Sequence, residues 1–445
     1  MPDLPAGSFG KCSDMTYSQA VDYLYSATPQ FQQIGAAAYK PGLDTVSRLS
    51  NLMGDSHKNY PIIHIAGTNG KGSAAHTLAA ILQSAGYKTG LFTSPHLLDF
   101  RERIRVDGEM IGEKDVVDWL EEYLSLDVAL EPSFFELTTV MAFDFFARKG
   151  VDVAVIETGL GGRLDSTNIV LPILSVITNV SKDHTAQLGN KLKSIAGEKA
   201  GIIKEGVPVV LGEGDIDGVR GVIEYKAREM GAPLTIASDN YLFEKAIQPK
   251  SPIDPIRYIG SPFGDFSGAL SGNYQVANTN TVLHSVLKLR QSGWKISDAA
   301  VKEGFIAVRE LTCLKGRWTV LSERPLIICD TGHNEGGWNY LVPALEQTGK
   351  KLKMVIGFVN DKDVDSILAK MPSSADYYFT QPSTPRALQS FILKEKAEVF
   401  GLRGKAFGSV REAVEKAIGD SERENDILIF IGGSTFVVAD ALPLF

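Results

Sequence analysis

The chain has 445 residues, 22% charged and 44% hydrophobic, with a formal net charge of −8. That length exceeds what one core usually holds, so two domains are expected, and the composition is ordinary for a soluble globular enzyme. The acidic balance, with no long Lys/Arg block, argues against a general nucleic-acid binder, and no apolar run reaches the length of a membrane span.

In chain order, Met1–Asp14 lacks the basic-then-apolar pattern of a secretory leader. The first strong signal is the apolar run Ile62–Ala66, which breaks into Gly67-Thr68-Asn69-Gly70-Lys71-Gly72-Ser73 and then an amphipathic helix over about Ala74–Ser84. Such a unit cradles phosphates. Glycines let backbone N–H groups converge on the anion, Lys71 neutralises its charge, and the helix N-terminus adds a favourable dipole. The Ser73 hydroxyl suits the Mg²⁺ that accompanies a nucleotide. The loop departs from GxxxxGK[ST], because only Thr68 and Asn69 separate Gly67 from Gly70 and Gly72 stands between Lys71 and Ser73. A nucleoside triphosphate is the expected ligand; a plain glycine-rich βα turn is the alternative.

Downstream, the pattern predicts a strand at Thr89–Thr93 and a helix over Phe134–Lys149 stopped by Gly150. The β-branched runs Val151–Ile156 and Ile173–Thr178 read as buried parallel strands. A strand at Val207–Leu211 and a helix at Val219–Met230 follow, and Asn240–Ser271 reads as a β-rich insertion. Helices over Tyr274–Gln291 and Ser297–Ala307 close the first domain, with Arg309–Gly316 as the linker and the division placed at 312/313. A second α/β series starts at Trp318, with strands Leu326–Cys329, Lys353–Gly357, Tyr377–Thr380 and Ile427–Ile431 and a helix at Gly336–Gln347. The cysteines, Cys12, Cys313 and Cys329, have neither metal-like nor disulfide-framework spacing, so a reducing cytoplasm is expected.

Several long motifs accompany the phosphate loop: Ser94-Pro95-His96-Leu97, Arg101–Val106, Glu157–Asp165 and Ser194–Lys204. In this order they resemble the Mur-type ATP-dependent amide ligases, and within them the folylpolyglutamate synthase/dihydrofolate synthase family. The resemblance runs from about Gly42 to Ala439. It implies an α/β, two-domain Mur-ligase-like architecture, a P-loop ATPase domain at 1–312 and a smaller Rossmann-like domain at 313–445. It also implies a cytoplasmic monomer that joins L-glutamate to dihydropteroate or a reduced folate at the expense of ATP.

The site residues follow partly from position and partly from the resemblance. Glu157 stands after a buried strand, where α/β folds place ligand sites, and the resemblance makes it a ligand of Mg²⁺ with Ser73. By resemblance alone, His184 holds a second Mg²⁺, and Lys199 of Glu198-Lys199-Ala200-Gly201 reacts with CO₂ to give a carbamate ligand for it. Asn278, Arg317 and Asp330 match segments that position ATP, with Arg317 at the hinge and Asp330 on the ribose; His333 matches the position that meets the incoming glutamate. Tyr274 stands where that pattern has histidine. Ser133, Phe134, Phe135 and Glu136 match the segment lining the pterin pocket, and Leu164 and Asp165 match dihydropteroate contacts of bifunctional enzymes. Read without the resemblance, Phe134 and Phe135 are equally helix core.

A GTPase would carry Asn-Lys-x-Asp, but Asn360-Asp361-Lys362-Asp363 has another order, and Gly159–Leu164 fails the dinucleotide pattern GxGxxG. A polyglutamylation-only enzyme, a cell-wall Mur ligase and a non-catalytic ATP-binding regulator remain alternatives.

Overall fold

Buried β-branched strands build two sheets, each covered on both faces. The computed structural model describes residues 15–26, 42–216, 218–249, 251–422, 424 and 426–445. Residues 1–14, on which the leader reading and Cys12 fall, lie outside them. The first sheet orders its strands β4-β3-β2-β5-β1-β6-β7-β8. They are β1 (Ile62–Ala66), β2 (Thr89–Phe92), β3 (Ile104–Val106), β4 (Glu109–Met110), β5 (Val153–Glu157), β6 (Leu174–Ile177), β7 (Val209–Leu211) and β8 (Leu234–Ile236). All pairings are parallel except those of β3 with β2 and β4. Alternate residues serve opposite faces. Ile63, Ile65, Val153 and Val155 pack against the phosphate-loop helix and the helix Tyr274–Gln291, whereas Ile62, Ala154 and Ile156 pack against the helix Phe134–Lys149.

The insertion is a three-stranded antiparallel sheet of β9 (Lys245–Ile247), β10 (Ile256–Ile259) and β11 (Phe266–Gly268), whose Tyr258 and Phe266 stack at 4.9 Å. The second sheet orders β12-β13-β17-β14-β15-β16. Its strands are β12 (Thr319–Glu323), β13 (Leu326–Asp330), β14 (Lys351–Ile356), β15 (Asp376–Phe379), β16 (Gly404–Ala406) and β17 (Ile427–Gly432), all parallel but β12.

The helices Phe134–Lys149 and Tyr274–Gln291 have the bounds expected from sequence. The expected linker differs: Val308–Thr312 is helical, and the Thr312 hydroxyl lies 2.8 Å from His76 Nδ1 on the phosphate-loop helix. That segment is therefore packed onto the first domain. The β12 edge strand, absent from the sequence reading, pairs with β13 directly after Trp318. Among the described residues no helix is long and apolar enough to cross a membrane.

Candidate active site

Register puts the site together. β1 lies between β5 and β6, with Ile65 opposite Glu157 and Ala66 opposite Ile177, so the loops leaving all three strands emerge side by side. The phosphate-loop helix begins at Lys71, one turn earlier than the pattern suggested, and Gly70 caps it at φ 83. That left-handed conformation suits glycine, and a side chain there would lie 2.3 Å from Asn278 Oδ1. Lys71, Gly72 and Ser73 thus form the first helical turn, where backbone N–H groups lack intrahelical partners.

Glu157 is the last residue of β5, not the first beyond it. Its carboxylate is 3% exposed and accepts from Ser94 N at 3.3 Å, with Lys71 Nζ at 3.8 Å. Burial raises its pKa, against the pull of Lys71 and Arg317. A side chain at Gly72 would lie 3.6 Å from the Arg317 guanidinium and 3.8 Å from Glu157. The hinge arginine therefore sits over the phosphate loop. Gln275 donates to Ser73 Oγ at 3.1 Å and accepts from Asn278 at 3.0 Å, which ties the helix Tyr274–Gln291 to the same loop.

Lys199 is 2% exposed, lines the cleft, and has no hydrogen-bond or ion-pair partner among the described residues. Burial, reinforced by the charge of Lys71, brings its pKa down to about 7. Its place is set by interlocked motifs. Arg163 N donates to Glu198 O at 2.7 Å, Asn168 Nδ2 donates to Gly201 O at 3.1 Å, and the Arg163 guanidinium pairs with Glu198 at 2.8 Å. A side chain at Gly201 would meet Arg163 Cα at 2.3 Å. His184 caps the short helix Thr185–Leu188 and faces the cleft, its pKa brought to about 3 chiefly by burial.

The second domain presents the ends of β13, β17 and β14 to this surface. Asp330, the last residue of β13, lies opposite Gly432 of β17. The two domains enclose a cleft of about 340 Å³ lined by the whole loop Gly67–Ser73 together with Glu157, His184, Lys199, Asn278, Arg317, Asp330 and His333. Ser133, Phe134, Phe135, Leu164 and Asp165 line its other end. Phe134 also serves the core, 5.7 Å from the Tyr25 ring, with the Arg103 guanidinium 5.1 Å from its face. Glu136 does not line the cleft. Its carboxylate accepts from Ser133 N at 2.7 Å and Ser133 Oγ at 2.8 Å, the capping box of its own helix. Asp165 is largely occupied as well, accepting from Leu160 N at 2.7 Å and Thr167 Oγ1 at 2.5 Å.

Family models match two stretches of the chain: the Mur ligase middle domain at residues 65–283 and the Mur ligase glutamate ligase domain at 316–434. The Bacillus subtilis dihydrofolate synthase/folylpolyglutamate synthase is 32% identical over 90% of this chain and 94% of its own. The Escherichia coli protein of that name is 32% identical over 96% of each chain. The chain belongs to the dihydrofolate synthase/folylpolyglutamate synthase family. Among solved structures, E. coli FolC in complex with DHPP and ADP superimposes with a TM-score of 0.83 at 30% identity, covering 97% of both chains.

In this family member the sequence reading missed a set of residues that join the domains. The Asp183 side chain is only 7% exposed, and its carboxylate accepts from Lys362 at 2.5 Å, Asn334 at 2.9 Å and His333 at 3.1 Å, all from the second domain. Burial alone would raise its pKa, but His184, the His333 hydrogen bond and Lys362 hold it well below the usual carboxylate range. Asn69 and Asn334 exchange amide hydrogen bonds at 3.0 and 3.1 Å, and Tyr340 donates to Glu213 at 2.7 Å. Ser434, Thr435 and Phe436 also line the cleft, just beyond β17. The available signal was positional, since Asp183 and Ser434 both follow buried parallel strands.

Proposed function

We propose that this chain ligates L-glutamate both to dihydropteroate and to the glutamate tail of a reduced folate, at the expense of ATP, with the division between its domains at 312/313. The observation that carries this reading is the interdomain cleft, in which a phosphate loop, a buried carboxylate and a buried unpartnered lysine face Asp330 and His333 of the second domain.

A carboxylate resists attack by an amine because it is an anion with a poor leaving group. The substrate carboxylate therefore attacks the γ-phosphorus of ATP, giving an acyl phosphate and ADP. The amine of glutamate then adds to the carbonyl, and phosphate leaves as the amide forms. Backbone N–H groups of the loop and Lys71 hold the phosphates, and Arg317 adds a fixed guanidinium from the hinge. Asp330 is assigned to the ribose and Asn278 to the loop side of the nucleotide. His333 is assigned to the incoming glutamate, with Ser133, Phe134, Phe135, Leu164 and Asp165 at the pterin end.

The donor set fits two Mg²⁺ ions. Ser73 Oγ and the poorly satisfied Glu157 carboxylate suit one, and the neutral His184 imidazole suits the other. Lys199 lines the same cleft, and as a carbamate it would add an anionic oxygen ligand beside water and phosphate oxygens. A buried ammonium with no partner is costly, whereas a neutral amine can take up CO₂ and present two oxygens. Bound Mg²⁺ would offset the charge that moves with the phosphoryl group.

The test is ATP consumption with L-glutamate, offering dihydropteroate and tetrahydrofolate separately. Turnover with both supports the reading. Turnover with tetrahydrofolate alone restricts it to polyglutamylation, and turnover with neither overturns it.

A further inference from the structure

Tyr274 opens the helix Tyr274–Gln291, and the residues after it, Gln275 and Asn278, reach the phosphate loop. Tyr274 itself lines the cleft and turns toward the second domain. Its ring packs against the core of the second domain, and its hydroxyl donates to Asp330 Oδ2 at 2.7 Å. Asp330 Oδ2 also accepts from Trp318 N at 2.8 Å, and Oδ1 accepts from Gly332 N at 2.8 Å. An ionised carboxylate offers about four lone-pair sites. With those donors in place, the remaining site is on Oδ1.

The ring has a prepared seat. Gly272 adopts φ 101, and a side chain there would lie 2.8 Å from Tyr274 Cε1. Burial and the neighbouring Asp330 charge raise the phenol pKa well above its ordinary value, so the hydroxyl remains a donor.

We infer that Tyr274 is a positioning residue for nucleotide recognition. It locks the Asp330 carboxylate so that one Oδ1 lone pair is presented to a sugar hydroxyl, and it couples that group to the helix that contacts the phosphate loop. The inference rests on the assignment of Asp330 to the ribose. Without the phenol, Oδ2 keeps only the Trp318 N–H and gains a free acceptor, the carboxylate is held by its two backbone donors alone, and the sugar contact weakens without loss of the packed ring.

The test compares Tyr274→Phe, Asp330→Asn and the unaltered enzyme with ATP, 2′-deoxyATP and 3′-deoxyATP. The unaltered enzyme should show a KM higher by about tenfold for the analogue lacking the contacted hydroxyl, the scale of one charge-assisted hydrogen bond. Tyr274→Phe should raise the KM for ATP by about five- to tenfold with kcat little changed. It should add almost nothing to the KM for that deoxy analogue, because the contact it supports is already missing. An unchanged KM for ATP, or an equal penalty on all three nucleotides, overturns the role of Tyr274 while leaving Asp330 in place. If the unaltered enzyme and Asp330→Asn both treat ATP and the two analogues alike, the ribose assignment fails, and this inference falls with it.

Discussion

Asp183 of the first domain and Lys362 of the second meet across the cleft at 2.5 Å, both largely shielded from water. His333 and Asn334 join the same carboxylate, so one buried anion gathers three donors from the other domain. Removing one partner of a buried pair costs roughly 3 kcal/mol or more, because the remaining charge loses compensation. Lys362→Ala should therefore favour an open arrangement, seen as a larger radius of gyration in solution scattering, together with reduced kcat. Unchanged scattering with full turnover would show that the contact does not hold the domains closed.

Lys71→Ala should leave the fold intact, since a lysine in the first helical turn buries little apolar surface, yet lower kcat by roughly 10²-fold or more. Among the described residues its ammonium donates only to Thr68 O at 3.3 Å and lies 3.8 Å from Glu157, so its charge is available to phosphate. Near-normal turnover in a folded variant would mean that the loop is misassigned.

Arg317→Ala should weaken ATP binding and spare dihydropteroate binding, because Arg317 sits over Gly72 while Ser133–Phe135, the residues proposed for the pterin, line the cleft elsewhere. Calorimetric titration with each ligand decides the matter. Equal losses for both would place Arg317 in domain closure instead.

Lys199→Ala should be nearly inactive, with partial rescue by short carboxylic acids. Lys199→Arg should be equally poor, because it stays charged and cannot form a carbamate. A carbamate needs the neutral amine, and the pKa near 7 means that the neutral fraction grows as pH rises through that value. Activation by bicarbonate should therefore increase from about pH 6 to pH 8. NMR with ¹³C-labelled bicarbonate should reveal a carbamate signal that Lys199→Arg lacks. A fully active arginine variant would refute the modification.

Gly201→Ala should destabilise the protein by about 1–3 kcal/mol or more, since the new methyl would sit 2.3 Å from Arg163 Cα and force two motifs apart. Thermal melting measures this. A melting temperature equal to that of the parent would show that the two segments yield at little cost.

The phosphate loop was legible because its chemistry is local: glycines, one lysine and one hydroxyl within a few positions after an apolar strand. The helix Phe134–Lys149 was legible for the same reason, being stopped by Gly150. Glu136 was assigned to the pterin pocket, but Ser133-x-x-Glu136 also spelled the capping box that engages its carboxylate, a local signal the reading passed over. Arg309–Gly316 looked like a linker because the five helical residues Val308–Thr312 carry too little periodicity, and packing on the phosphate-loop helix makes them helical. The sequence alone thus determined most of the elements, the phosphate loop and the order of the motifs. Only the tertiary structure decided that Asp183 meets Lys362, 179 positions away, and that Tyr274 turns from its own helix to Asp330. Such pairings depend on which strand ends the two sheets bring together, and no local propensity encodes that.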